Sequence, residues 1–490
     1  MTVRAQIALA TLVAGSTLLA ACVHGAPSIE GAAPIPQGPS TRWTPTKSVM
    51  EAAAADAQRV TPSTVPTRQL TLADVVDLAL RNSPATRLSW TQARAAADVY
   101  GSTGGKRFPL LSAGASVTRT RTIATPGRPA GERSQYGPSL SLAYTVLDFG
   151  GRSGTIDVAR QTAIAADLSH NATVENTILA VETAAFAYLS TRAQRDAQKS
   201  AVELATAALD VASERHRVGL ATIADVLQAQ TARSQAELVL ETLEGSLQVT
   251  RGALAVAMGL PANTPFEIPN VPATDSVHFV TQSVDTLIEM AVRNRPELAT
   301  VRAQAAAAQS QIRVARSGYL PALALSATGA NNASTVSSFA GPTYSLNLGV
   351  QVPVFSGFAN QYDVAAASEQ YRAAIARSEA TKQQVIQQVF TAYYTLRTST
   401  ERVRTAHDLL SSATQSETVA RERYREGVGS IVDLLVAQAA LANARAQDAD
   451  ARWQWRASLA QLAHDVGVLN SRGDTSFAPL TPAPDVRPER

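Results

Sequence analysis

Cysteine is almost absent: 490 residues contain one, Cys22. A lone thiol cannot form an internal disulfide, so no disulfide framework holds this fold. Aromatic residues are also scarce, at 5%, while alanine is spread throughout. That composition is thin material for a thick globular core and suits long helices packed closely together. No excess of charge of one sign exists either. A net charge of +3, evenly distributed, gives nucleic acid nothing to bind. Long hydrophobic runs are missing as well. After the N-terminal segment no stretch of 18 apolar residues occurs, so a chain that crosses a membrane must do so with strands. The six histidines (His24, His170, His216, His278, His407, His464) lack metal-ligand spacing, and no Ser-His-Asp set can be assigned. Gly101-Ser-Thr-Gly-Gly-Lys106 lacks the gap and the trailing hydroxyl of a phosphate loop and is better read as a turn. No enzyme and no cofactor is expected.

The N-terminus has the form of a secretion signal. Arg4 supplies the charge, and Ile7 to Leu19 form an apolar segment too short to span a bilayer as a helix. Leu19-Ala20-Ala21-Cys22 matches a lipobox, which makes Cys22 the candidate for lipidation. The alternative is a chance cysteine near an ordinary cleavage site. Val23 follows in place of the aspartate that retains bacterial lipoproteins at the inner membrane, so the expected address is the outer membrane.

The chain also contains its own second copy. Arg81-Asn82-Ser83-Pro84 recurs as Arg293-Asn294-Arg295-Pro296, and Pro109 as Pro321, both 212 residues on. Glu214-Arg-His-Arg-Val-Gly219 with Ile223-Ala-Asp225 recurs as Glu422-Arg-Tyr-Arg-Glu-Gly427 with Ile431-Val-Asp433, 208 residues on. A period this long exceeds solenoid repeats and marks one duplicated structural unit. The division that follows is a signal over 1–21, a lipidated proline-rich tether over 22–69, a first repeat over 70–259, a linker over 260–282, a second repeat over 283–468 and a tail over 469–490.

Each repeat shows two periods. Leu111, Ala113, Ala115 and Val117 alternate with small polar residues, and so do Leu140, Leu142, Tyr144 and Val146. In the second repeat Leu323, Leu325 and Ala327 do the same, followed by the row from Leu346 to Val354. Period two predicts four strands with one apolar face, in two hairpins joined by polar loops over 124–135 and 331–342. A soluble half-buried sheet gives the same pattern; the lipobox favours membrane strands. Arg119 and Arg121 continue the first apolar row, where they meet either lipid phosphates or solvent. Heptad steps then run through Val174, Ile178, Val181, Ala185 and Tyr188, and through Val385, Val389, Ala392, Leu396 and Val403. No proline interrupts 151–219 or 357–427, which predicts helices of about 100 Å. Residues 70–105 and 222–258 predict one shorter helix each, stacked end to end beside the first long helix. Four strands cannot close a barrel, and cyclic association must supply the rest. Three copies give twelve strands, wide enough for an aqueous lumen.

In this order, doubled, and with Leu147-Asp-Phe-Gly-Gly-Arg152 leaving the strands, residues 70 to 468 resemble the TolC family of outer-membrane efflux proteins, lipoprotein branch. The resemblance implies a mainly α fold with a membrane β-barrel portion, formed by a homotrimer with a twelve-stranded barrel and a periplasmic helical tunnel. It implies an exit duct that docks a periplasmic adaptor and an inner-membrane pump and passes small molecules outward. The same scaffold serves type I protein secretion. A lipidated periplasmic coiled-coil adaptor fits less well, because such proteins carry one helical hairpin and no membrane strands. The doubled tip motif is the candidate site: Arg217 and Gly219, with Arg425 and Gly427, would meet the adaptor. Asp225 and Asp433 admit two compatible readings, helix caps after Thr222 and Ser430, and carboxylate rings at the tunnel mouth. Family members often carry a second acid and a basic residue near here; this chain has Val436 and Gly429 instead, so any ion-pair network at the mouth differs.

Overall fold

The computed structural model describes residues 70–123, 131–269, 282–336 and 339–469, with Pro126 and four helical positions, Lys47, Met50, Glu51 and Ala54. Cys22 and the C-terminal tail after Leu469 lie outside the described residues. So does the middle of the linker, 270–281.

Two repeats of the same element order make up the described chain. The first is α1 (Leu72–Asn82), α2 (Pro84–Gly104), β1 (Leu110–Thr122), β2 (Gly131–Leu147), α3 (Gly151–Arg217) and α4 (Ile223–Ala257). The second is α5 (Val284–Asn294), α6 (Pro296–Ser317), β3 (Ala322–Ser334), β4 (Gly341–Gln351), α7 (Ala359–Arg425) and α8 (Ile431–Val466). The two long helices are of equal length, 67 residues, which is about 100 Å at 1.5 Å per residue. The heptad rows are where they bury themselves: Ile178, Val181, Ala185 and Tyr188 in α3, and Val385, Val389, Ala392 and Leu396 in α7, are all buried. Helix α3 packs along α2 and α6 near the sheet and along α4 and α8 farther on.

One expectation over 70–105 is corrected. That stretch is two helices, because Pro84 has no amide proton to give and forces Ser83 out of helical geometry (φ −60°, ψ 122°). Ser83 ends α1 and caps α2, its Oγ accepting from the Thr86 amide at 3.4 Å. The second repeat breaks at the same place, before Pro296, but its cap residue is Arg295, whose side chain makes no cap bond. Arg295 instead reaches into the α7–α8 layer. It donates to Asp465 Oδ1 at 3.2 Å, to Glu297 at 2.9 Å and to Gln388 at 3.2 Å, and it is only 5% exposed. His464 continues this cluster, with Nδ1 3.0 Å from Asp465 and Nε2 3.0 Å from Asn176. The Glu175 carboxyl beside it is pushed up to about 7, by burial first and by Glu297 second, against the pull of His464 and Arg295. The visible part of the linker crosses α3 near its middle. There Phe266 packs on Tyr188 with ring centroids 6.0 Å apart, Arg192 donates to the Ile268 carbonyl at 2.7 Å, and the Leu70 amide donates to the Glu267 carbonyl at 2.9 Å.

The four strands form one antiparallel sheet in the order β1-β2-β3-β4, so the hairpins of the two repeats join through β2 and β3. The strands are longer than the alternation alone indicates. Residues 331–334 belong to β3 and 131–135 to β2, which shortens both loops. At the other end β4 stops at Gln351, because Pro353 cannot donate to a ladder; Val352 and Val354 lie beyond it. Register aligns the apolar rows across the whole sheet: Leu111 faces Leu142, which faces Ala327, which faces Leu346. Ser112, Ser141, Thr328 and Ser345 align in the same way on the opposite face, where the Ser112 and Ser141 hydroxyls lie 2.8 Å apart. Gly137 leaves no room for a side chain against β3. A Cβ there would fall 2.0 Å from the Asn331 carbonyl oxygen.

Candidate functional site

Two parts of the molecule carry features that a self-contained fold does not need. The first is the sheet. Its apolar face is bare: Leu111, Val117, Leu346, Leu348 and Val350 are all at least 60% exposed, and Tyr344 is 92% exposed. A soluble monomer seldom leaves so continuous a patch open. Aromatic side chains mark both ends of the band, Phe108, Phe149, Phe355 and Phe358 toward the helices and Tyr136 and Tyr344 toward the loops, all exposed. Membrane barrel strands carry aromatic girdles at the two edges of their apolar band. Arg119 lies past Tyr136 on the same row, paired with Glu132 at 2.8 Å. Both outer strands, β1 and β4, have one unpaired edge within the chain. No described helix is long and apolar enough to cross a membrane.

The second part is the pair of helix reversals at the far end. Both use one construction. After α3 the amide of Leu220 donates to the Arg215 carbonyl at 2.7 Å and that of Gly219 to His216 at 3.0 Å. After α7 the amide of Val428 donates to Arg423 at 2.9 Å and that of Gly427 to Tyr424 at 3.1 Å. These are Schellman turns, and their left-handed residue is glycine in each copy, Gly219 at φ +79° and Gly427 at φ +78°. Each following helix opens with a reciprocal capping box. The Asp225 amide donates to Thr222 Oγ1 at 3.2 Å while the Thr222 amide donates to Asp225 Oδ2 at 2.8 Å. The Asp433 amide donates to Ser430 Oγ at 3.1 Å while the Ser430 amide donates to Asp433 Oδ2 at 3.4 Å. Both aspartates therefore hold helix N-termini, where backbone dipoles favour a negative charge.

The candidate arginines are not equivalent. Arg217 is exposed and donates to Glu214 on its own helix at 2.8 Å, a pairing that lowers the Glu214 carboxyl and raises the guanidinium. Arg425 is exposed and forms no ion pair among the described residues. The structure brings Gly427 beside the other tip: a Cβ on it would lie 3.4 Å from Arg215 Nη2. Arg215 is the residue that joins the tips. It donates to the Tyr424 carbonyl, the end of α7, at 2.5 Å and lies over the Tyr424 ring at 4.9 Å. Tyr424 is buried with Ala208, Ala212, Ala229, Ile431 and Leu434. Burial raises its phenol, Arg215 opposes that, and Asp225 adds to it. The sequence marks this pair only as the one aromatic difference in the doubled motif, His216 against Tyr424. Around the clasp the tips expose Val218, Leu220, Ile223, Leu227, Val428 and Val436, apolar side chains that motif reading passes over.

Comparison with known proteins agrees with this geometry. The family model described as outer membrane efflux protein matches residues 75–260 and 287–468, one match per repeat. The chain is 29% identical over 388 residues to protein CyaE of Bordetella pertussis, covering 77% of this chain and 79% of that protein. It is 26% identical over 353 residues to outer membrane protein TolC of Escherichia coli, covering 68% and 70%. Among solved structures, the outer membrane protein VceC of Vibrio cholerae superposes with a TM-score of 0.72 at 20% identity, over 81% of this chain and 96% of that one, which shows a shared fold. With both repeats matched and the whole architecture in common, this chain belongs to the outer membrane efflux protein family.

Proposed function

We propose that three copies of this chain form the outer-membrane exit duct of an efflux assembly. The observation that carries this reading is the one-faced four-stranded sheet with both edges unpaired. Its bare apolar side suits lipid, its hydroxyl-lined side suits water, and three copies joined edge to edge give twelve strands around a lumen. The paired helices of each chain then continue the passage as a tunnel below the membrane, and substrates pass without any chemical step. The tips meet a periplasmic adaptor, which couples the duct to an inner-membrane pump. Support for this comes from the exposed apolar residues around the Arg215–Tyr424 clasp, with Arg217, Gly219, Arg425 and Gly427 forming the turns that present them. Six carboxylates, Asp225 and Asp433 of three chains, line the tunnel mouth while capping their helices. Cys22 carries the lipid that tethers each chain to the outer membrane. The test is export itself. In cells lacking their own exit duct, this chain with its adaptor and pump should lower dye accumulation, and Gly427→Val should not. Equal export by both would remove the tips from the mechanism. Fatty-acid label should enter the wild type and not Cys22→Ser; equal labelling would remove the anchor.

A further inference from the structure

The polar side of the sheet carries a single charged residue. Register assigns the inward positions of all four strands, and they hold serine, threonine, asparagine, glutamine, glycine, alanine, Arg133 and, at the end toward the helices, Leu110, with Leu147 after a register shift. Arg133 faces Thr120, two positions from the outer end of β1. It lies 14 residues before Leu147, where β2 ends toward the helices, or about 45 Å along the strand. Its neighbours Glu132 and Ser134 point to the opposite side, and Glu132 is already held by Arg119 at 2.8 Å. Arg133 itself forms no ion pair among the described residues. Its guanidinium stacks on the Phe339 ring, 4.5 Å from the centroid. That contact fixes the side chain's position and leaves its positive charge uncancelled.

We propose that Arg133 is a selectivity residue of the exit. Three copies place a ring of fixed positive charge at the outer mouth, on a strand face that holds no other charge among the described residues, and this ring draws in anionic solutes and binds polyvalent anions. The two ends of the duct then carry opposite charge, carboxylates at the helix tips and guanidinium groups at the mouth. The inference rests on the threefold closure proposed above. Its reach is about 10 Å at 0.1 M salt and about 30 Å at 0.01 M, so the effect strengthens as salt falls.

Single-channel recording of the full-length protein in planar bilayers at low salt tests it, with tripolyphosphate added on the side of the barrel loops. The wild type should be blocked. Arg133→Gln should need at least a fivefold higher concentration for half block, and its reversal potential in a salt gradient should move toward that of the cation. Arg133→Lys, which keeps the charge, should stay within twofold of the wild type. Arg119→Gln with Arg121→Gln, on the lipid side, should shift the half-block concentration less than Arg133→Gln does. Equal block of a conducting wild type and Arg133→Gln overturns the collar alone. A wild type that forms no conducting pore overturns the threefold closure and the collar with it.

Discussion

Replacing Arg295 by serine restores at the second break the residue found at the first, and the structure gives the outcome in numbers. The change removes a guanidinium that is 5% exposed and holds Asp465, Glu297 and Gln388 from three helices. Removing one partner of a buried ion pair costs about 3–5 kcal/mol, because the carboxylate left behind stays desolvated. The new serine can cap α6 as Ser83 caps α2, which returns about 1 kcal/mol. The net local loss is about 2–4 kcal/mol. At tenfold per 1.4 kcal/mol, amides of the last turn of α8 should exchange roughly 30- to 700-fold faster. Hydrogen exchange followed by mass spectrometry on the detergent-solubilised protein measures this directly in a peptide spanning 461–467. The matching turn at Ser83 should keep its rate. Adding Asp465→Asn should recover part of the loss by removing the orphaned charge. Exchange within twofold of the wild type in Arg295→Ser would mean that the buried pair contributes nothing.

Four further outcomes follow from the same geometry. The Glu182 carboxyl, buried in α3, is pushed up to about 7, so the folded chain holds a proton that the unfolded chain releases near 4.5. Stability should therefore fall as pH rises from 4.5 to 7 and then level off; Glu182→Gln should be more stable than wild type by roughly 2–3 kcal/mol at pH 8 and lose that advantage at pH 4.5, as read by circular dichroism melts. Gly137→Val cannot keep the β2–β3 register, because its Cβ would meet the Asn331 carbonyl, and heat-modifiable folding on gels should show no barrel. Arg215→Ala loses a charged hydrogen bond and a ring contact between the tips, about 1.5–3 kcal/mol, and should speed exchange over 420–430 without altering the sheet. Asp225→Ala with Asp433→Ala should cost about 1 kcal/mol at each cap and reduce cation preference in single channels; unchanged selectivity would leave only the capping role.

Much of this architecture is legible in the sequence because it repeats. Heptad spacing announces α3 and α7 since burial recurs every turn or two, and alternation announces the strands since the two faces meet different solvents. The capping boxes are legible because Thr222 and Asp225, like Ser430 and Asp433, are three residues apart. Three-dimensional partners are not legible in this way. The departure from Ser83 to Arg295 is plain in the doubled motif, yet its meaning depends on Gln388 and Asp465, 93 and 170 residues away. Arg215 and Tyr424 lie 209 apart, and nothing local distinguishes Arg215 from its counterpart Arg423, which stays on its own turn. The break at Pro84 depends on that residue alone, because proline inside a helical pattern pushes the residue before it out of helical geometry, and a single helix over 70–105 overlooks this.

Everything proposed for the sheet depends on closure of the barrel by three chains. Native mass measurement of the full-length protein in detergent, on the same sample that conducts ions in bilayers, tests it most directly. A single species of three copies is expected. A conducting monomer or dimer, with four or eight strands, would contradict it.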